Sequence, residues 1–219
     1  MTPELLYSKT PELLLKMLYI DLDDCVCETC VSLTEFARER FGRNVSVADM
    51  VDYDLRVSFS FDEETYRKFM REFHEERLAS IPETPGAVAV LRRWIDAGHE
   101  PVIVTGRPTY SHTLTRCWLD ERGLSDIKII HVDKYAKLFN ASPDPLITPF
   151  PALREMGFEF AVEDAPNAVR MIAETALCPC AIFTRPWNVA YPLPSRTAHQ
   201  FVRAADWTEI EREHRLSCL

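Results

Sequence analysis

Asp21 and Asp23 stand one residue apart at the end of the apolar run Met17-Leu18-Tyr19-Ile20. Two carboxylates that close repel each other unless a cation or a proton intervenes. Three further apolar runs also end abruptly in residues able to do chemistry. Pro101-Val102-Ile103-Val104 leads into Thr105-Gly106-Arg107-Pro108, Ile127-Lys128-Ile129-Ile130-His131-Val132 into Asp133-Lys134, and Phe158-Glu159-Phe160-Ala161-Val162 into Glu163-Asp164-Ala165-Pro166-Asn167. Asp21 and Asp23 with Glu163 or Asp164 make the hard-oxygen set that Mg²⁺ prefers, water and a phosphate oxygen completing its octahedron. A nearby lysine would steady such a cluster and pair with phosphate. A Thr-Gly-Arg turn offers a hydroxyl and backbone amides to the other phosphoryl oxygens.

The elements that must position these residues follow from pattern. The runs are short and rich in β-branched residues, as buried strands are. Helical patterns lie between them. Thr84-Pro85 opens one that stops at Gly98, with a cap residue, an early proline and a closing glycine. Residues 110–122 stop at Gly123 in the same way, and residues 152–156 stop at Gly157. Residues 167–176 precede a further apolar run, Ala181-Ile182-Phe183, and residues 206–215 read as a last helix. Strands alternating with helices predict an α/β fold, a three-layer, Rossmann-like core around a parallel sheet. In such a sheet the carboxyl ends of the strands open on one edge, so residues distant in sequence gather in one crevice.

Residues 31–83 interrupt the alternation. Residues 31–41 and 61–79 read as helices, and the stretch 44–60 between them is mixed. This predicts a small α-helical cap inserted after the first strand, with residues 1–30 and 84–219 forming the core. Tyr53, Phe59, Phe61, Phe69 and Phe73 could stack a nucleobase, but a small core of the insert's own is the simpler reading. The proline-broken segment 185–203 is expected to lie over the surface.

The order Asp21-x-Asp23, Thr105-Gly106-Arg107-Pro108, lysine, Glu163-Asp164 resembles the four motifs of the haloacid dehalogenase-like superfamily. Thr-Gly-Arg-Pro, the Glu-Asp-x-Pro-Asn turn and Arg185-Pro186-Trp187-Asn188 are similar to its 5′-nucleotidase branch. The resemblance implies a Mg²⁺-dependent phosphomonoester hydrolase in which Asp21 attacks phosphorus to give an aspartyl-phosphate. Asp23 would protonate the leaving alkoxide and then deprotonate water. The Asp21 carboxylate, the Asp23 carbonyl and Asp164 would hold Mg²⁺, with Glu163 or water nearby. Thr105, Gly106 and Arg107 would bind phosphoryl oxygens, Arg107 being the weaker member. The motif lysine is Lys134 or Lys137, with Lys134, directly behind its strand, preferred. Asp24 and Cys25 depart from the usual Gly and Thr or Val. Asp tolerates left-handed φ better than most residues, so the loop is either accommodated or altered. An altered loop would leave a weak phosphate- or nucleotide-binding regulator.

The rest of the composition narrows the class. The chain has 219 residues and a formal charge of −9, which argues against a nucleic-acid polymer as partner. No apolar run is long enough to span a membrane, and nothing resembles a secretory signal. The expected partner is a small phosphorylated substrate, and the expected location is the cytoplasm. Seven cysteines fit a reducing compartment and core packing better than zinc or a redox-sensitive thiol near Asp21. The six histidines lack ligand spacing, with His131 near the carboxyl edge the one to follow. A near-repeat, Thr2-Pro3-Glu4-Leu5-Leu6 and Thr10-Pro11-Glu12-Leu13-Leu14, suits helix starts.

Overall fold

The computed structural model describes residues 16–52, 54–134, 144–195 and 197–217; the N-terminal near-repeat, Tyr53 and Lys137 lie outside them. Strand β1 (Lys16–Ile20) is followed by helices α1 (Thr29–Phe41), α2 (Leu55–Phe59) and α3 (Glu63–Glu76). Then come α4 (Ala87–Asp96), β2 (His99–Thr105), α5 (His112–Glu121), β3 (Lys128–Val132) and β4 (Ile147–Thr148). The chain continues through β5 (Phe160–Glu163), α6 (Pro166–Glu174), β6 (Cys180–Phe183), β7 (Phe201–Ala204) and α7 (Trp207–Ser217). The seven strands form one parallel sheet in the order β4-β3-β2-β1-β5-β6-β7.

The central strand explains why its run is apolar throughout. β1 pairs on both sides and is covered on both faces, so both faces need apolar residues. Leu18 and Ile20 join one apolar cluster, with Ile103, Leu91 and Trp94. Tyr19 points to the opposite face, with Val102, Val104 and Ala161. The two-residue strand period makes that division. Helix α4 covers the first face through Ala87, Leu91 and Trp94, spaced as one helical stripe.

The insert's phenylalanines are packed inward. Phe36, Phe59, Phe69 and Phe73 are buried, and Phe69 lies 5.1–5.8 Å, centroid to centroid, from Phe61, Phe59, Phe41 and Phe36. These rings belong to the same apolar cluster as Leu18 and Ile20, so they are not available to stack a base.

Three local features differ from the pattern reading. β4 has only two residues, too few to show a period. Residues 150–156 form a 3₁₀ helix rather than an α-helix, opening with the Ala152 amide on the Pro149 carbonyl at 2.9 Å. The end of the segment expected on the surface instead enters the sheet as β7, whose mid-strand Arg203 breaks the apolar run. Arg203 satisfies itself there by donating to Asn188 Oδ1 and the Asn188 carbonyl.

Candidate active site

Ile20 pairs in register with Ile103 and Val162, and the Asp21 amide donates to the Val162 carbonyl at 2.9 Å. This register brings the residues just past β1, β2, β3 and β5 to the same sheet edge. There Lys134 Nζ donates to Asp21 Oδ1 at 2.5 Å and to Glu163 Oε2 at 2.7 Å. All three side chains are buried. The Lys134 ammonium also sits 5.4 Å above the Tyr19 ring, whose hydroxyl donates to Glu163 Oε2 at 2.7 Å. Glu163 Oε1 accepts the amides of Asp164 and Ala165 at 3.1 and 3.0 Å. Four protein donors therefore occupy Glu163, which acts as a brace for Lys134 and the following turn.

Asp164 is held from the other side. Trp187 Nε1 donates to its Oδ2 at 2.8 Å, and Asn188 Nδ2 donates to its carbonyl and to that of Phe183, both at 2.8 Å. Ligand atoms of Asp21, Asp164 and Cys25 lie within 4.8 Å of one another. Burial raises the carboxyl of Asp164, to about 8, with Glu163 and Asp24 adding to it. Burial likewise pushes Asp21 well up, helped by Glu163 and opposed by Lys134. Three crowded carboxylates against one ammonium make a site that lacks positive charge. Two of them offer hard oxygens side by side, the donor chemistry that suits Mg²⁺. The Cys25 thiol fits that ion poorly and stays protonated, since burial and the neighbouring Asp164 raise it.

Asp23 belongs to a second group. Arg107 Nε donates to its Oδ1 and Oδ2 at 3.1 and 3.0 Å, Arg107 Nη2 to Oδ1 at 2.7 Å, and Thr29 Oγ1 to Oδ1 at 2.5 Å. Burial alone would raise Asp23, but the guanidinium and the hydroxyl outweigh it and hold the carboxyl below its usual range. Thr105 is fully buried; its Oγ1 accepts the Arg107 amide at 3.1 Å, leaving its O–H as a donor. Gly106 links the two. The sequence suggested Arg107 as a phosphate ligand; in this structure its guanidinium is turned to Asp23.

The unusual first loop keeps its turn. Asp24 adopts φ 58°, the left-handed region where glycine is common, and its Oδ1 accepts the Cys30 amide at 2.9 Å. Its carbonyl accepts Arg185 Nε at 2.7 Å. The remaining described cysteines also behave as core atoms, only Cys117 being exposed. His131 is buried, with Nδ1 2.9 Å from the Arg107 carbonyl and Nε2 3.0 Å from His112 Nδ1, so it buttresses the turn from behind.

Tyr19, Thr29, Trp187 and Thr115, whose Oγ1 accepts Arg107 Nη1 at 3.1 Å, enter the site without having been assigned to it from sequence. Tyr19 reads as one more core residue of a strand. Trp187 alone had a signal, its place in Arg185-Pro186-Trp187-Asn188. No helix among the described residues is long and apolar enough to cross a membrane.

No family model matches the sequence. A protein of Halalkalibacterium halodurans named as a putative nucleotidase is 25% identical over 192 residues, 88% of this chain and 89% of that protein. A conserved haloacid dehalogenase-like protein of unknown function from Agrobacterium tumefaciens superposes with a TM-score of 0.61 at 14% identity, covering 94% of this chain and 100% of its own. A HAD family hydrolase from Deinococcus radiodurans, solved with bound phosphate and sodium, superposes with a TM-score of 0.58 at 12% identity over 93% of this chain and 96% of that one. The chain has the haloacid dehalogenase-like fold.

Proposed function

We propose that this chain, built on the haloacid dehalogenase-like fold, is a phosphomonoester hydrolase with Asp21 as nucleophile. The observation that carries the reading is the Asp21 carboxylate, held by Lys134 at 2.5 Å beside Asp164 at the carboxyl edge of the sheet. Lys134 fixes the attacking oxygen, and Glu163, braced by four donors, fixes Lys134. Thr105 and the amides around Gly106 receive phosphoryl oxygens. Arrival of the substrate's negative charge beside Asp23 opposes the pull of Arg107 and raises the carboxyl, which then gives a proton to the leaving oxygen and takes one back from the hydrolytic water. The carboxylates of Asp21 and Asp164 and the backbone carbonyl of Asp23 would hold Mg²⁺. When bound, that ion neutralises the cluster and withdraws charge from the phosphoryl group, so that a carboxylate can approach a dianion.

Residues 31–83 act in this reading as the cap. His74 of α3 supports it, lying buried close to the Arg107–Asp23 pair with Nδ1 2.6 Å from the Tyr110 hydroxyl. Burial and the positive charge of Arg107 lower His74 to about 4. The substrate is a small phosphorylated metabolite, and nucleoside monophosphates are tested first because the similar H. halodurans protein is named as a putative nucleotidase.

Asp21→Asn is expected to lower release of phosphate from p-nitrophenyl phosphate by at least about 10³-fold while leaving the melting temperature near wild type. Full turnover in that variant would remove Asp21 from the reaction. EDTA is expected to silence the wild type. Thermal-shift binding of phosphomonoesters without any phosphate release would favour a binding regulator instead, although the intact turn at Asp24 speaks for a working loop.

A further inference from the structure

The two oxygens of Asp23 are treated differently by their surroundings. Oδ1 takes Arg107 Nη2 at 2.7 Å, Arg107 Nε at 3.1 Å and Thr29 Oγ1 at 2.5 Å. Oδ2 has Arg107 Nε at 3.0 Å. The Asp23 side chain is 29% exposed, while that of Arg107 is 4% exposed. Arg107 is itself anchored. Its Nη1 donates to Thr115 Oγ1 at 3.1 Å, its Nη2 reaches Cys27 Sγ at 3.4 Å, its amide donates to Thr105 Oγ1 and its carbonyl meets His131 Nδ1. A guanidinium meant to receive a dianion would present its fork to the crevice. This one spends it on a neighbouring carboxylate and is braced against β2, α5 and the first loop. Thr29, the first residue of α1, closes on the same oxygen from just before the insert.

We propose that Arg107 is a positioning residue for Asp23 rather than a phosphate ligand: its fork engages both carboxyl oxygens and, with Thr29 on Oδ1, fixes the plane in which Asp23 exchanges its proton. The inference rests on the phosphatase reading above and assigns Arg107 a part in it. In the first half-reaction the Asp21 oxygen–phosphorus bond forms as the phosphorus–leaving-group oxygen bond breaks, and a proton passes from the Asp23 carboxyl to the departing oxygen. In the second, the water oxygen bonds to phosphorus, the Asp21–phosphorus link breaks, and the water's proton returns to the Asp23 carboxylate. The clamp stops the carboxyl from rotating between the two steps. Holding a proton donor in line matters most where the departing oxygen is most basic, because a poor leaving group gains most from protonation.

A leaving-group series tests this. Wild type, Arg107→Lys and Thr115→Val are compared with Mg²⁺ on phosphate esters running from dinitrophenyl to simple alkyl. Arg107→Lys keeps the charge and loses the fork. It is expected to reduce kcat about 100-fold on the alkyl ester and at most several-fold on the dinitrophenyl ester, with KM changed little on either. Thr115→Val removes only the anchor of Nη1, leaves Arg107 in place should the first variant fail to fold, and is expected to show the same slope at about 3- to 10-fold. Binding of inorganic phosphate with Mg²⁺, followed by calorimetry, is expected to stay within about twofold in both variants. A uniform rise in KM across the series, or a tenfold loss of phosphate affinity, would overturn the proposal and return Arg107 to the phosphate site. A wild type that releases phosphate from none of the esters would overturn the phosphatase reading itself, and the calorimetry would still decide whether Arg107 binds phosphate.

Discussion

The two edges of the sheet are built from the same strands and treat ionisable groups in opposite ways. At the carboxyl edge, Asp21, Asp23, Glu163, Lys134 and Arg107 are drawn into direct ion pairs. At the amino edge, where β1, β2 and β5 begin, His214 of α7 is buried among rings: Trp94 and His99 lie 4.8 Å away and Phe160 5.3 Å. Burial holds His214 neutral, lowering it to about 4, and His99 and Lys16 add to that effect. Taking a charge out of water is expensive unless a partner compensates. The amino edge avoids the expense by keeping its buried His214 uncharged and its charged groups, such as Lys16 and Glu159, about half exposed. The carboxyl edge accepts it and surrounds each charge with donors, as expected where charge is needed for chemistry.

The largest expected effect comes from breaking the compensation at the carboxyl edge. Lys134→Met leaves Asp21 and Glu163 buried against each other with no cation between them. It should cost about 3–5 kcal/mol in urea unfolding, as well as phosphatase activity. A variant as stable as wild type would mean that the pair is not what holds the carboxylates together. Trp187→Phe keeps the ring and removes one donor to Asp164 Oδ2. The Mg²⁺ concentration giving half-maximal turnover should rise by roughly tenfold, the usual size of losing an outer partner of a ligand. An unchanged midpoint would reduce Trp187 to packing.

The smallest effect belongs to the amino edge and concerns pH. His214 binds its proton less readily folded than unfolded, with about 4 in the structure against roughly 6.5 for a free imidazole. Its neutral burial therefore supports the fold above roughly pH 6.5, and that support is lost as pH falls toward 4. Lys16, His99 and Arg215 around it oppose protonation, and Glu211 favours it. His214→Phe should show a smaller drop in melting temperature between about pH 7 and pH 5 than wild type. An identical drop in both proteins would place the acid-sensitive group elsewhere.

Part of the site was legible in the sequence because strands and their ends are local features. Asp21, Thr105, Lys134, Glu163 and Asp164 each follow an apolar run, and a parallel sheet brings such ends to one edge whatever the intervening sequence. At Asp24 the sequence left two outcomes open, and the structure keeps the left-handed φ there, with the carboxylate accepting the Cys30 amide. β7 and the 3₁₀ turn at 150–156 were not, because an arginine inside the strand and two prolines beside the turn blur the periods that pattern reading uses.

The amino-acid order by itself determined the class of fold and the edge on which the acidic, basic and hydroxyl side chains would assemble. Only the tertiary structure decided the partnerships: Lys134 shared between Asp21 and Glu163, Arg107 turned to Asp23, Tyr19 under the ammonium and Trp187 on Asp164. Strand period and turn preference act over a few neighbouring residues, whereas an ion pair or hydrogen bond forms between whichever groups the packed strands bring within about 3 Å.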